Sequence, residues 1–135
     1  MITAVDTSVL IDVFGADQRF GQLSASALRT CLNAGAAVAC GVVWGETRAA
    51  FSRDEEFRRA LHTLGIAFSP QTEQAATLAG ITWKKYRAGG GKRDRVIADF
   101  LIGAHAVSQC DRLLTRDRGY YKKYFAGLLV VDPSA

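Results

Sequence analysis

Ten residues at the start of the chain, MITAVDTSVL, constrain its fold more than any other stretch. Ile2–Val5 reads as a short buried strand, and Asp6 closes it with a carboxylate. Thr7 and Ser8 are good helix starters, and Val9, Leu10 and Ile11 then resume the apolar pattern. A strand that ends in an acid and turns at once into a helix is the unit from which open α/β sheets build sites. The rest of the sequence has to say which side chains accompany Asp6.

The alternation of short apolar runs with helical patterns continues along the chain. Ser8–Phe14 is expected to be a short helix, broken at Gly15–Asp17, and Ser24–Asn33 a second, closed by Gly35. Ala36–Cys40 reads as a strand, and Gly41 turns the chain into VVWGETRAAF, an apolar-rich helix interrupted by Glu46. Ser52-Arg53-Asp54-Glu55 fits a capping box, which predicts a helix from Arg53 to Leu64 that Gly65 ends. Ile66–Phe68 is a brief strand, and Thr72–Arg87 places Ala75, Leu78, Ala79, Thr82 and Tyr86 on one helical face. After the loop AGGGKRD, Arg95–Ser108 is a helix that is apolar except at Asp99 and His105. Arg112–Thr115 forms a fourth strand, GYYKKYF a short helix and Leu128–Val131 a fifth strand. This order predicts an α/β fold of three layers, α/β/α, with a central parallel sheet of about five strands. The 135 residues are expected to form a single domain, 1–135.

Composition removes several function classes. Hydrophobic residues at 49% with 22% charged describe a globular chain and argue against disorder. No apolar run approaches the roughly 18–20 residues of a membrane span, and MITAVDTSVLIDVF lacks the basic start of a signal peptide. Cys31, Cys40 and Cys110 are odd in number and widely spaced, which suits reduced thiols in a cytoplasmic protein. His62 and His105 are isolated, so a histidine metal site has little support. A net charge of +4 is compatible with a polyanionic partner.

Four carboxylates break structural or apolar contexts: Asp6, Glu46, Asp99 and Asp117. Asp6 and Asp117 each follow a strand, so a parallel sheet puts both at its carboxyl edge. If strands one and four are neighbours where the strand order reverses, these two acids share one crevice. Glu46 sits among Val42, Val43, Trp44 and Phe51, and Asp99 among Val96, Ile97, Phe100, Leu101 and Ile102. Buried carboxylates must be paired, protonated or bound to a cation. Four acids without matching internal cations suggest Mg²⁺ or Mn²⁺, for which oxygen ligands are suited. Each acid also has a structural alternative. Asp6 and Asp117 could cap helices, Glu46 could pair with Arg48, and Asp99 with Arg95. Asp12, Asp54, Glu55, Glu56 and Glu73 read as solvated faces or caps, and Asp94 borders the glycine loop near Asp99.

The stretches VDTSVLID, VVWGETRAAF, RVIADFLIGAHA and LLTRDRGYYKKYF, in this order, make the chain resemble the PIN-domain ribonucleases. It resembles more closely the VapC toxins of bacterial toxin–antitoxin pairs. The resemblance implies an endoribonuclease that depends on Mg²⁺ or Mn²⁺, is silenced by a cognate antitoxin and forms a homodimer. The family's acidic quartet falls on Asp6, Glu46, Asp99 and Asp117, with a frequent polar companion at Thr115. Asp6, Asp99 and Asp117 are the expected metal ligands, and Glu46 either a ligand or the group that orients the attacking water. Thr7 and Ser8 are expected to hydrogen-bond the Asp6 carboxylate or a water beside it.

Basic residues flank the proposed site in sequence. Lys92, Arg93, Arg95, Arg116 and Arg118 are candidate contacts for RNA phosphates. The alternative for the lysines and arginine at 84–87 is a helix end favoured by its dipole. Tyr120, Tyr121 and Tyr124 could stack bases or pack in the core. GGGK lacks the spacing and trailing Ser/Thr of a phosphate-binding P-loop. A non-catalytic receiver-like signalling domain would carry paired acids after the first strand and a lysine after the last. A haloacid-dehalogenase-type phosphatase would need D-x-D where this chain has DTS. An RNA-binding PIN module without activity remains a third alternative.

Overall fold

The computed structural model describes residues 1–92 and 95–134. The elements run β1 (Ile2–Val5), α1 (Thr7–Phe14), α2 (Gly21–Ala34), β2 (Ala36–Ala39), α3 (Gly41–Arg48) and α4 (Asp54–Leu64). They continue as β3 (Ile66–Phe68), α5 (Glu73–Ala88), α6 (Ile97–Gln109), β4 (Arg112–Leu114), α7 (Arg118–Tyr124) and β5 (Val130–Val131). The sheet has five parallel strands in the order β3-β2-β1-β4-β5. β1 is central, and Ala4 and Val5, with Val9 and Leu10 of the helix that follows, are buried. Chain order runs outward on one side of β1 through β2 and β3, then jumps across to β4 and β5. The reversal falls between β1 and β4, so the ends of these two strands flank the crevice in which such sheets hold ligands.

Close approach fixes the register of β1. Gly35 has φ +153°, and a Cβ there would lie 2.0 Å from the Met1 carbonyl oxygen. Only glycine lets the chain entering β2 pass this close, and the Ala36 N–H then donates to that same carbonyl at 3.0 Å. On the other side of β1, the Asp6 N–H donates to the Leu114 carbonyl at 2.9 Å, which ties its last turn to β4.

Three local expectations differ from the structure. α2 starts at Gly21 rather than Ser24, and Ser24 lies buried inside the helix because its hydroxyl donates to Asp12 at 2.8 Å. α3 stops at Arg48, and Phe51 leaves the helix to meet the rings of Phe14 and Phe57 edge-on at 5.4 and 5.7 Å. The expected capping box before α4 does not form. Arg53 occupies the N-cap without a side-chain bond, and Asp54 pairs with Arg48 and Arg58 at 3.3 and 2.8 Å.

Helix α6 brings Asp99 towards the sheet edge, and one of its glycines sets how close it comes. A Cβ on Gly103 would meet the ring of Phe125, just after α7, at 2.3 Å. That ring is buried and held between Phe100 and Tyr121, each at 6.4 Å, so it has little room to yield. Helix propensity favours alanine over glycine by about 1 kcal/mol, whereas overpacking a core costs about 1–3 kcal/mol. The clash should win. Gly103→Ala is expected to lower stability in urea unfolding, and to cost less in a Phe125→Leu background.

Candidate active site

The four acids converge on the carboxyl edge of the sheet from four different elements. Asp6 ends β1 and sits at the N-cap of α1, Glu46 lies on α3, Asp99 in the first turn of α6, and Asp117 at the N-cap of α7. Asp6 is only 7% exposed. Its Oδ1 accepts from the Thr7 N–H and its Oδ2 from the Thr115 hydroxyl, both at 2.7 Å. The Thr115 oxygen in turn accepts the Asp117 N–H at 3.0 Å. On the other flank the Thr7 hydroxyl donates to Glu46 Oε1 at 2.7 Å. A continuous hydrogen-bonded run therefore links Asp117, Thr115, Asp6, Thr7 and Glu46 across the switch point. Capping and siting are the same act for Asp6, because one carboxylate starts the helix and anchors the run.

Asp99 and Asp117 are held differently. Asp99 is half-buried, and its Oδ2 accepts the Val96 N–H at 3.1 Å, fastening the first turn of α6 to its own side chain. Arg95 pairs with Asp117, not with Asp99, through Nη1 to Oδ2 at 2.6 Å, with its guanidinium 4.1 Å from the Tyr120 ring centre. Glu46 is exposed, and Arg48 turns away from it to Asp54. The expectation of four acids without internal cations therefore fails at Asp117, which has one.

Electrostatics concentrate on Asp6. Burial pushes its carboxyl up from the ordinary 3.8 to about 6, against the bonds from Thr115 and Thr7 and with help from the charges of Glu46 and Asp117. The buried Tyr121 hydroxyl is pushed far up by burial, with Asp6, Asp99, Tyr120 and Asp117 adding to the effect. One core phenol thus has three of the acids around it. Among the described residues, no three carboxylates stand close enough to form a finished cage for a cation. The set fits a hard divalent ion in kind, with oxygen donors and surplus negative charge at a buried carboxyl. Asp6, Asp99 and Asp117 are the carboxylates that such an ion would have to draw together. Ser8 does not reach the Asp6 carboxylate as expected; its Oγ is buried without a partner among the described residues.

The basic candidates separate. Lys92 is exposed, and Arg95 lies between Asp117 and Tyr120. Arg116 is committed elsewhere: it grips both oxygens of Asp12 at 2.7 and 3.0 Å and covers the Phe20 ring at 4.2 Å. Asp12 is accordingly 3% exposed, not the solvated helix residue expected. It was legible by the rule that flagged Asp99, since it is the one acid in the apolar helix TSVLIDVF. Arg112 is also structural, donating to Thr3 at 2.9 Å near the opposite end of β4. Arg93, Asp94 and the side chain of Arg118 lie outside the described residues.

A family model for the PIN domain matches residues 3–126. The chain belongs to the PIN-domain family. Among solved structures, VapBC-1 from nontypeable Haemophilus influenzae matches with a TM-score of 0.76 at 18% identity, covering 100% of both chains. VapBC2 from Rickettsia felis, bound to a promoter DNA fragment, gives 0.75 at 14% identity over 98% of each chain. FitAcB from Neisseria gonorrhoeae gives 0.70 at 19% identity over 99% of each. At these identities the likeness is one of fold. No curated protein matches the chain significantly.

The raised carboxyl of Asp6 gives this PIN domain a pH signature. Between 3.8 and about 6 the folded state binds more protons than the unfolded state, so stability falls as pH rises through that window. A shift of this size corresponds to about 3 kcal/mol, and losing one acceptor returns about 1 kcal/mol. Metal-free Asp6→Asn should therefore exceed the native chain by about 1–2 kcal/mol at pH 7.5 and show no gain at pH 4. Urea unfolding across this range checks it, and parallel pH profiles would remove the burial argument.

Proposed function

We propose that this PIN domain is a metal-dependent endoribonuclease, the toxin of a toxin–antitoxin pair, which hydrolyses RNA phosphodiester bonds at the carboxyl edge of its sheet. The observation that carries this reading is the run from Asp117 through Thr115, Asp6 and Thr7 to Glu46, centred on a buried carboxyl at the β1–β4 switch point. A Mg²⁺ or Mn²⁺ ion, when bound, supplies neutralisation of phosphate charge and lowers the pKa of water. Asp6 fixes the position of the ligand set, because both its oxygens are aimed by donors from β4 and α1. Asp99, from the first turn of α6, and Asp117, from the N-cap of α7, complete that set. Glu46, held through Oε1 by Thr7, orients the attacking water with its other oxygen. Thr7 and Thr115 touch neither substrate nor water in this scheme; they are positioning residues.

The partner reading follows from relatives. Solved neighbours include a toxin–antitoxin complex from Klebsiella pneumoniae and VapBC-1 from nontypeable Haemophilus influenzae, which supports a cognate antitoxin for this chain. On α1 and α2, Ile11 and Leu23 are 37% and 46% exposed and offer an apolar contact. The segment 51–64 offers less, because Phe57 and Leu61 are spent in the core. A homodimer and a cytoplasmic location belong to the same reading. No helix among the described residues is long and apolar enough to cross a membrane.

The test incubates purified protein, freed of any partner, with structured RNAs and Mg²⁺ or Mn²⁺. Cleavage should disappear in Asp6→Asn and Asp99→Asn and on chelation, and cleavage that survives both substitutions sinks the assignment. Thr7→Val and Thr115→Val should each lower the rate or the metal affinity by about 10–100-fold, with the fold intact by circular dichroism. Expression of the chain alone should arrest growth, and co-expression with its antitoxin should restore it.

A further inference from the structure

A groove of about 460 Å³ opens beside the acids, between the glycine loop after α5 and the outer face of α7. That volume lies within the about 300–1,000 Å³ of small-ligand sites. The backbone at Gly91 lies flat on the Tyr86 ring, where a Cβ would meet ring atoms at 2.5–2.6 Å. Behind this floor the rings are already assembled: Tyr86 meets Phe100 at 5.3 Å and Tyr124 at 5.2 Å, and Tyr120 meets Tyr124 at 5.5 Å. Tyr124 is half-exposed and carries the Lys123 ammonium 5.4 Å from its ring centre. Lys92 and Lys123 are exposed on the groove walls, and neither has an acidic partner among the described residues. Gly119 also lines it, and a Cβ there would meet nothing within 4 Å.

The groove joins the acidic site through one side chain. Arg95 lines the groove while its guanidinium holds Asp117. Ammonium groups without acidic partners beside a half-exposed aromatic ring are what a single strand of nucleic acid requires: phosphates to the cations, and a base that replaces the Lys123 ammonium on the ring. A helical peptide would instead need a continuous apolar floor.

We propose that this groove holds one nucleotide of a single-stranded RNA next to the scissile bond, its base on Tyr124 and its phosphates between Lys92, Lys123 and Arg95. The inference rests on the nuclease reading and adds where the strand lies. It makes the bound region of the RNA single-stranded, since a paired base cannot reach the ring.

The experiment measures anisotropy of a labelled oligouridine in EDTA, where metal-dependent hydrolysis cannot proceed, with cleavage of a single-stranded RNA in Mg²⁺ or Mn²⁺ followed in parallel. Gly119→Trp fills the groove at a position where the fold leaves room, and should weaken oligonucleotide binding by about tenfold without lowering the melting temperature. Lys92→Ala/Lys123→Ala should make the salt dependence of log K shallower by about 0.7 for each lysine removed. Asp6→Asn should bind as tightly as the native chain while failing to cleave. Native cleavage with unchanged binding and cleavage in both groove variants would overturn the groove and leave the nuclease standing. Variants that handle RNA normally but escape neutralisation by the antitoxin would reassign the groove to that partner. A native chain that binds the oligonucleotide through the groove but cleaves nothing would overturn the nuclease reading alone.

Discussion

The bond between the Thr115 hydroxyl and the Asp6 carboxylate is the contact on which the site depends. A carboxylate that is 7% exposed is costly unless donors meet it, and the donors available here are a backbone N–H from its own helix and a hydroxyl from the neighbouring strand. That requirement needs β4 beside β1 and not at the edge of the sheet. It also places Asp117 two residues beyond Thr115, on the rim of the same crevice. Sheet order and site chemistry are therefore one constraint. A chain that paired β1 with β5 instead would bury the same carboxylate against strand residues that carry no hydroxyl.

Much of this was legible because the signals are local. A strand closed by an acid, repeated near Asp117, indicates the carboxyl edge without any tertiary information, and the β-α-α spacing gives parallel strands. What the sequence concealed was pairing. Arg116 stands beside Asp117 in the chain yet points to Asp12, because α1 and α2 offer it a buried carboxylate and the face of Phe20. Arg95 stands four residues before Asp99 yet pairs with Asp117 and lies over the Tyr120 ring, while Asp99 accepts the Val96 N–H. Sequence adjacency suggests partners, but the fold decides which opposite charge a side chain reaches. The missing capping box has the same origin: Asp54 found two arginines, and Ser52 lost its role.

Sorting the cations this way changes what a net charge of +4 means. Arg112 and Arg116 are committed to Thr3 and Asp12, so they hold the fold and contribute little to a field outside it. Lys92 and Lys123 have no acidic partner among the described residues and line one groove. Their effect comes from position beside the carboxylates, because exposed charges farther apart than about 8–10 Å are largely screened at ordinary salt. Under the proposed reading, a substrate drawn to them would be delivered next to the acids that otherwise repel it.

The site also opposes the stability of its own fold. Burial, with Glu46 and Asp117 nearby, favours the neutral form of Asp6, whereas work at neutral pH on a cationic ligand needs the charged one. The remaining structure absorbs that conflict. The Asp12–Arg116–Ser24 cluster clamps α1 and α2 to the segment after β4, so the strand ends stay apposed even when the carboxyl between them ionises. A cation at the edge would remove the repulsion among the acids and reverse the preference of Asp6. An ion bound there would then also stabilise the folded chain, by RT ln(1 + [L]/Kd). Catalytic competence and full stability would arrive together with the same ligand.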